Sequence, residues 1–170
     1  LETAHSREYL DGLCGQTIDP RAWRRVGVPW SEGLVERTLT APNGTLLSAR
    51  LALQYGMASH LAGGTHHAHY DFGSGFCIIN DLAYTALTLL RSGEVNKLLI
   101  FDLDVHQGDG TAAILAHEPR AFTCSIHCQK NFPFRKSHSD LDIGLDQGLT
   151  DAAYLRVVDE TLVRLLEEQQ

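Results

Sequence analysis

The sequence predicts an α/β protein with three layers, in which helices cover both faces of a mainly parallel sheet. Segments with helical periodicity alternate with short apolar segments typical of buried strands, and no repeat, low-complexity tract or linker interrupts them. This alternation is the usual pattern of parallel sheets with helices on their faces. We expect residues 1–170 to be part of one domain, incomplete at both its N-terminal and C-terminal ends, because the last predicted helix needs further elements to pack against.

The first part of the chain is predicted to hold two helices and a loop. Ser6 is a suitable N-cap for a short helix that ends near Leu13. Prolines interrupt the segment 16–32, which we expect to be a loop. A second helix is predicted over 46–61, with Thr45 as its N-cap.

The second part of the chain alternates helices with strands. Helices are predicted over 80–91, over 111–117 and from 150 onward, and strands over 97–101 and 121–127. The final helix is amphipathic, with a predicted apolar side made of Tyr154, Leu155, Val157, Val158, Leu162, Leu165 and Leu166. The polar segment that contains Asp140 and Asp142 is expected to be a surface loop.

The most informative segment directly follows the strand predicted over 97–101. Asp102, Asp104 and His106 occupy every second position there, and alternate side chains of an extended chain point to the same side. Carboxylates and imidazoles that share one side at a strand end are arranged as metal ligands. A solvated loop is the alternative, but three potential ligands that alternate with apolar residues favour a metal or catalytic site.

Two adjacent histidines form a second cluster earlier in the chain. His66 and His67 follow the flexible pair Gly63-Gly64. Two imidazoles near one metal can divide acid and base work if their environments separate their pKa values. Ordinary loop histidines are the alternative, yet the position of this pair one predicted helix before the acidic strand end fits two loops that meet at one crevice.

Composition excludes several classes of function. The net charge of −7 argues against a nucleic-acid-binding surface, and 44% hydrophobic with 21% charged residues are ordinary values for a soluble globular domain. We expect no membrane span and no signal peptide. The four cysteines show no pairing pattern, which indicates reduced thiols and a cytoplasmic location. Cys124 and Cys128 flank His127, but their spacing is not that of a zinc knuckle.

These motifs resemble the zinc-dependent histone deacetylase superfamily, and most closely its class IV and bacterial branch. The resemblance covers nearly all of the chain and keeps several motifs in the same order. The matching segments are 64–68, 75–81, 102–110, 125–127 and 131–136. The resemblance implies an arginase/deacetylase-like fold and a zinc-dependent amidohydrolase that removes an acyl group from lysine.

The resemblance implies that zinc is bound by Asp104 and His106. A catalytic zinc site uses three protein ligands and an open position. In the family, the third ligand and a tyrosine that stabilises the transition state come from segments further along than this chain extends. We therefore expect the 170-residue chain, taken alone, to be catalytically inactive.

The resemblance also assigns roles to the histidine pair. His67 matches the general base of the family, and His66 matches its partner histidine. Asp109 is expected to orient His67, and Asp102 is expected to orient His66. Different partners would give the two rings different proton affinities, as one base and one electrostatic partner require.

A monovalent-cation site, for an ion such as potassium, is implied near the zinc ligands. It would be formed by the side chains of Asp102 and Ser125 and by backbone carbonyls of Ile126, Asp104 and His106. Oxygen ligands suit a hard cation, which would stiffen the segment that carries the zinc ligands.

Two aromatic residues match the walls of the family's acyl-lysine tunnel. Phe76 and Phe132 are the predicted wall residues, and Phe134 is a rival for Phe132. Flat rings can hold an alkyl chain and exclude water. The remaining histidines are expected to be structural or surface residues, namely His5, His60, His69, His117, His127 and His138.

Three classes of function remain open at this point. The first is a zinc amidohydrolase whose substrate partner is an acylated lysine or an acetylpolyamine. The second is a manganese hydrolase of the arginase kind, whose two-metal site needs more carboxylates than a site built around His66 and His67. The third is a non-catalytic fragment or acyl-binding module.

Overall fold

A computed structural model describes residues 1–168 of the chain. The elements in chain order are α1 (Arg7–Cys14), α2 (Pro20–Trp23), α3 (Glu32–Tyr55), α4 (Asp81–Ser92), β1 (Leu98–Asp102), α5 (Asp109–Leu115), β2 (Ala121–Cys128), β3 (Leu141–Leu145) and α6 (Asp151–Glu168).

The three strands form one parallel sheet in the order β1-β2-β3. Asp102, the last residue of β1, pairs in register with Ser125 of β2, and Ser125 pairs with Asp142 of β3. The carboxyl ends of all three strands therefore lie along one edge of the sheet, which is where open α/β sheets hold their ligands.

Helices cover both faces of this sheet. In β1, Leu98 and Ile100 pack into a core cluster with buried residues of α4 and α5, whereas Leu99 and Phe101 pack into another cluster with α6. Alternate side chains of a strand point to opposite faces. The predicted three-layer α/β/α arrangement with a parallel sheet is thus confirmed.

The long helix α3 corrects the prediction for the first part of the chain. It begins after Ser31, whose hydroxyl accepts a hydrogen bond from the Leu34 amide, and it continues to Tyr55 instead of covering 46–61. Pro42 lies inside it and is buried, and the Asn43 side chain bonds to the carbonyl four residues earlier. Tertiary packing therefore overrides the helix-breaking tendency of the Pro-Asn-Gly segment.

Thr45 is not a helix cap, because it lies in the interior of α3. Its hydroxyl donates to the Asp81 carboxylate at 2.5 Å and lies 2.9 Å from the His60 ring. Within the expected loop 16–32, the short helix α2 forms because Asp19 accepts hydrogen bonds from the first amides of that helix.

The strand β3 was expected to be a surface loop. Leu141, Ile143 and Leu145 alternate with polar or small residues and pack in the same core cluster as α6. Asp140, just before the strand, accepts a hydrogen bond from the Thr123 amide at 2.7 Å and so ties β3 to β2. The Asp140 carboxylate therefore stabilises the edge of the sheet.

The final helix α6 packs with only part of its predicted apolar side. Tyr154, Val157, Val158 and Leu165 contact the sheet cluster, while Leu155 and Leu166 are exposed. None of the helices described over residues 1–168 is long and apolar enough to cross a lipid bilayer.

Candidate functional site

The site begins with a loop that is held by the start of α4. Residues 63–80, here called the histidine loop, fold back so that Asp81 accepts hydrogen bonds from the amide and the hydroxyl of Thr65, at 2.7 and 2.6 Å. The Asn80 side chain caps α4 and also donates to the Ala68 carbonyl at 3.0 Å. Burial of these groups leaves the loop little freedom to move.

A second loop closes onto the first. Residues 102–108, here called the ligand loop, run from the end of β1 to α5. A side chain at Gly110 would collide with the carbonyl oxygen of Ala68, so α5 begins in close contact with the histidine loop. The Thr111 amide donates to the His66 carbonyl at 3.0 Å. The two loops therefore form one crevice at the carboxyl end of β1.

His66 lies in this crevice against the Asp102 carboxylate. Its Nδ1 is 2.6 Å from Asp102 Oδ2, and the other oxygen of Asp102 accepts from the Asp104 amide. The ring is 5% exposed. Burial acts to lower the pKa of His66, but the hydrogen bond to Asp102 and the charges of Asp102, Asp104 and Asp109 outweigh it, so the pKa is raised.

His67 lies beside His66 and is held by a different carboxylate. Its Nδ1 is 2.6 Å from Asp109 Oδ1, and the two histidine rings are 4.0 Å apart between centroids. Burial acts to raise the pKa of Asp109, but hydrogen bonds from His67 and His69 outweigh it and hold the pKa at about 2. Asp109 is therefore ionised at neutral pH and can only accept hydrogen bonds, which places a proton on Nδ1 of His67.

Asp104 and His106 lie above the buried pair and are more exposed. Asp104 Oδ1 is 3.0 Å from His106 Nδ1 and 3.8 Å from His66 Nε2. A tetrahedral zinc ion with bonds of about 2.0–2.1 Å separates its ligand atoms by about 3.3 Å. The spacing of this oxygen and nitrogen, and their chemical types, therefore fit two of the ligands of a zinc site.

The described residues 1–168 do not contain a complete metal site. No group of three or more His, Cys, Asp or Glu side chains within them is placed to hold a metal ion. Asp104 and His106 fit zinc as a pair of donors, and their assignment as ligands stays a prediction.

Phe132 is in contact with the histidines, whereas its rival Phe134 is 91% exposed. The Phe132 ring meets the His67 ring edge-on at 4.9 Å and lies 6.0 Å from the His106 ring. Phe76 packs with its ring against the backbone of Gly27 and is 73% exposed. The tunnel-wall role of both rings stays a prediction.

The residues expected to bind a monovalent cation lie on the first two strands. Asp102 and Ser125 are paired in register, and Ile126 follows on β2. The buried Ser125 hydroxyl lies 3.1 Å from His127 Nδ1, so it already has a protein partner. The cation site also stays a prediction.

Two histidines outside the predicted site residues contact the site or the loop that carries it. His69 was expected to be structural or on the surface, yet its Nε2 is 3.1 Å from the second oxygen of Asp109. His69 lies two residues after His67, but this spacing does not predict the contact, because residues 66 and 67 form a turn and not an extended segment. His5 is buried, and its Nε2 accepts a hydrogen bond from the Asn80 amide at 2.9 Å. No local pattern indicates that long-range contact.

Comparison with known proteins shows the family to which the chain is similar. The histone deacetylase domain family matches residues 1–170. The chain is 52% identical over 168 residues to an uncharacterized protein of Picosynechococcus sp., which covers 99% of this chain and 56% of that protein. It is 31% identical over 189 residues to histone deacetylase RPD3 of Saccharomyces cerevisiae, which covers 98% of this chain and 43% of that protein.

Solved structures match the fold. The crystal structure of an HDAC homolog from Aquifex aeolicus superposes with a TM-score of 0.81 at 24% identity, covering 97% of this chain and 50% of that chain. The structure of an HDAC homolog complexed with SAHA matches equally well. The deacetylase-like α/β fold predicted from the sequence is confirmed. The chain spans about half the length of these relatives, with 56%, 43% and 50% of their residues covered.

Proposed function

This chain belongs to the histone deacetylase domain family, and from that premise we propose that it is part of a zinc-dependent deacylase that hydrolyses the amide of acyl-lysine. The observation that carries the proposal is the paired contact at the crevice: two adjacent imidazoles are each held through Nδ1 by a separate carboxylate, beside Asp104 and His106. This arrangement supports one base and one charged partner at a single reacting centre.

In this proposal Asp104 and His106 hold the zinc ion, with a further protein ligand completing the set. Zinc, when bound, acts as a Lewis acid that polarises an amide carbonyl and a water molecule. The carboxylate and imidazole donors support zinc over a hard cation such as magnesium.

His67 is proposed to move the proton. Its Nδ1–H donates a hydrogen bond to Asp109 and keeps its proton, so Nε2 can take a proton from the attacking water and later deliver it to the leaving lysine amine. The raised pKa of His66 supports a protonated ring, whose charge offsets the negative charge that develops on the amide oxygen.

The surrounding residues are proposed to bind the substrate and stiffen the site. The edge-on contact of Phe132 with His67 supports a hydrophobic wall for the acyl-lysine chain, and Phe76 is proposed as the opposite wall. Asp102, Ser125 and backbone carbonyls are proposed to hold potassium, which would stabilise the ligand loop.

A substrate panel tests this function. The full-length protein, loaded with zinc, is assayed with an acetyl-lysine peptide, an acetylpolyamine and free arginine. The variant Asp104→Asn, which lacks a proposed zinc ligand, is assayed in parallel. We expect amine release from the peptide and loss of this activity in the variant. Turnover of the acetylpolyamine alone would make the protein a polyamine deacylase, and urea release from arginine with two manganese ions bound would contradict the proposal.

A further inference from the structure

Asp109 holds two histidines, one on each of its oxygens. Oδ1 lies 2.6 Å from His67 Nδ1, and Oδ2 lies 3.1 Å from His69 Nε2. The Asp109 side chain is 9% exposed and that of His69 is 17% exposed, so water competes little for these contacts. The carboxylate that orients the proposed base is therefore itself held from its far side.

Both rings must donate to this carboxylate. An ionised carboxylate has acceptor oxygens and no proton to give, so the hydrogens lie on His67 Nδ1 and His69 Nε2. A carboxylate with one partner can rotate about its last bond, whereas one that is bonded through both oxygens is fixed in plane and in direction. His69 therefore restricts the orientation in which Asp109 meets His67.

His69 is itself well fixed for this task. Its ring stacks on Phe72 at 4.3 Å between centroids with 15° between the planes, and its amide donates to the Phe72 carbonyl at 2.9 Å. The Arg25 guanidinium lies 5.1 Å from the centroid of the same Phe72 ring. The stack fixes the direction of the imidazole, and its Nε2 points to Asp109.

We propose that His69 is a positioning residue, which fixes Asp109 by its second oxygen and thereby keeps His67 aligned as the general base. This inference rests on the proposed function, since it assigns a task to His69 in the same reaction. His69 does not touch the substrate, and it acts only through the carboxylate.

The test uses substitutions at position 69 in the full-length, zinc-loaded protein. His69→Phe keeps a ring that can stack on Phe72 but has no donor, and His69→Asn carries an amide that is too short to reach Asp109. His69→Gln carries an amide donor of suitable reach. His117→Phe is the matched control, because His117 is exposed and follows the end of α5 that is opposite to the crevice.

We expect His69→Phe and His69→Asn to lower kcat by about tenfold with KM changed less than about twofold, as for other residues that support a catalytic group. His69→Gln should recover most of kcat, and His117→Phe should equal the unmodified protein. By NMR, the His67 Nδ1 proton signal should stay at low field in His69→Gln and broaden or move in His69→Phe and His69→Asn.

An unchanged kcat and an unchanged His67 signal in both donor-less variants would overturn the inference. A loss in His69→Gln as large as in His69→Asn would also overturn it, since packing alone would then explain the effect. If the unmodified protein has no deacylase activity, the proposed function fails, and the NMR signal of His67 still decides the role of His69.

Discussion

At the scale of single residues, the site depends on how buried imidazoles are held. His66 and His67 are 5% and 4% exposed, so neither ring can rely on water to satisfy its nitrogens. Each uses Nδ1 for a carboxylate, and this contact fixes the orientation of the ring. The alternation of residue types along the ligand loop was enough to predict Asp104 and His106 as candidates, although the chain bends over residues 104–106 and is not extended there.

The first prediction at this scale concerns the space around Gly75. Its φ is +52°, and a Cβ there would lie 2.7 Å from His67 Cδ2 and 2.9 Å from the Phe132 ring. Gly75→Ala should therefore displace both rings and lower kcat/KM roughly 10-fold to 100-fold, because small misplacements near the reacting centre are costly. The matched control is Gly33→Ala, at a position with open space around it. Equal activity of the two variants in a peptide assay would refute this account of Gly75.

At the scale of elements, the histidine loop is held from both sides. The start of α4 bonds to the loop through Asn80 and Asp81, and His5, just before α1, accepts a hydrogen bond from the Asn80 amide. Burial lowers the pKa of His5 and outweighs hydrogen bonds to the backbone of His69 and Tyr70, which raise it, so the resulting pKa is about 4. The folded state therefore requires a neutral His5.

His5 makes the stability of the fold depend on pH. The unfolded chain binds a proton at His5 below pH 6.5, while the folded chain resists it until about pH 4. Stability should thus fall as the pH is lowered from about 6.5 to about 4, by about 3 kcal/mol in total. His5→Gln, measured by urea unfolding across this range, should show a smaller loss on acidification than His117→Gln. The same slope in both variants would contradict this role.

The helix α3 and the strand β3 differ from the prediction for the same physical reason, which is that contacts with distant parts of the chain stabilise them. Pro42 and Asn43 usually indicate the end of a helix. In α3 the helix continues past both residues, because of its packing and a hydrogen bond from the Asn43 side chain to the Leu39 carbonyl. Leu141, Ile143 and Leu145 alternate in the sequence, but the polar residues between them made the segment resemble a loop. The strand is stabilised by its pairing with β2 and its packing against α6. The starts of α1 and α4, which Ser6 and Asn80 cap, were predicted within one residue, whereas the starts of α2 and α3, which Asp19 and Ser31 cap, were missed.

At the scale of the whole molecule, the histidine pair, its two carboxylates and the proposed zinc ligands meet at one edge of the sheet. The parallel strands end together, the helices of both layers hold the connecting loops, and the crevice opens at the carboxyl end of β1. This placement follows from the α/β order of elements, which is why the general location of the site was predictable. The contact of His69 with Asp109 was not, because it depends on the path of a loop.

The 170-residue chain alone is predicted to have no deacylase activity. Asp104 and His106 are the two zinc ligands proposed among its described residues, and a catalytic zinc site uses three protein ligands. The purified 170-residue chain, given excess zinc and an acetyl-lysine peptide, should release no amine above the rate without protein. Turnover equal to that of the full-length protein would show that these residues hold a complete site.

The most direct test of the account separates zinc binding from proton transfer in the full-length protein. Zinc per chain and kcat are measured for the unmodified protein, for His67→Ala and for His106→Ala, with His117→Ala as control. We predict one zinc per chain in the unmodified protein, unchanged zinc and a roughly 10²-fold lower kcat in His67→Ala, and loss of zinc in His106→Ala. Equal loss of zinc in His67→Ala and His106→Ala, or full zinc content in both, would contradict the division of roles on which the proposed function rests.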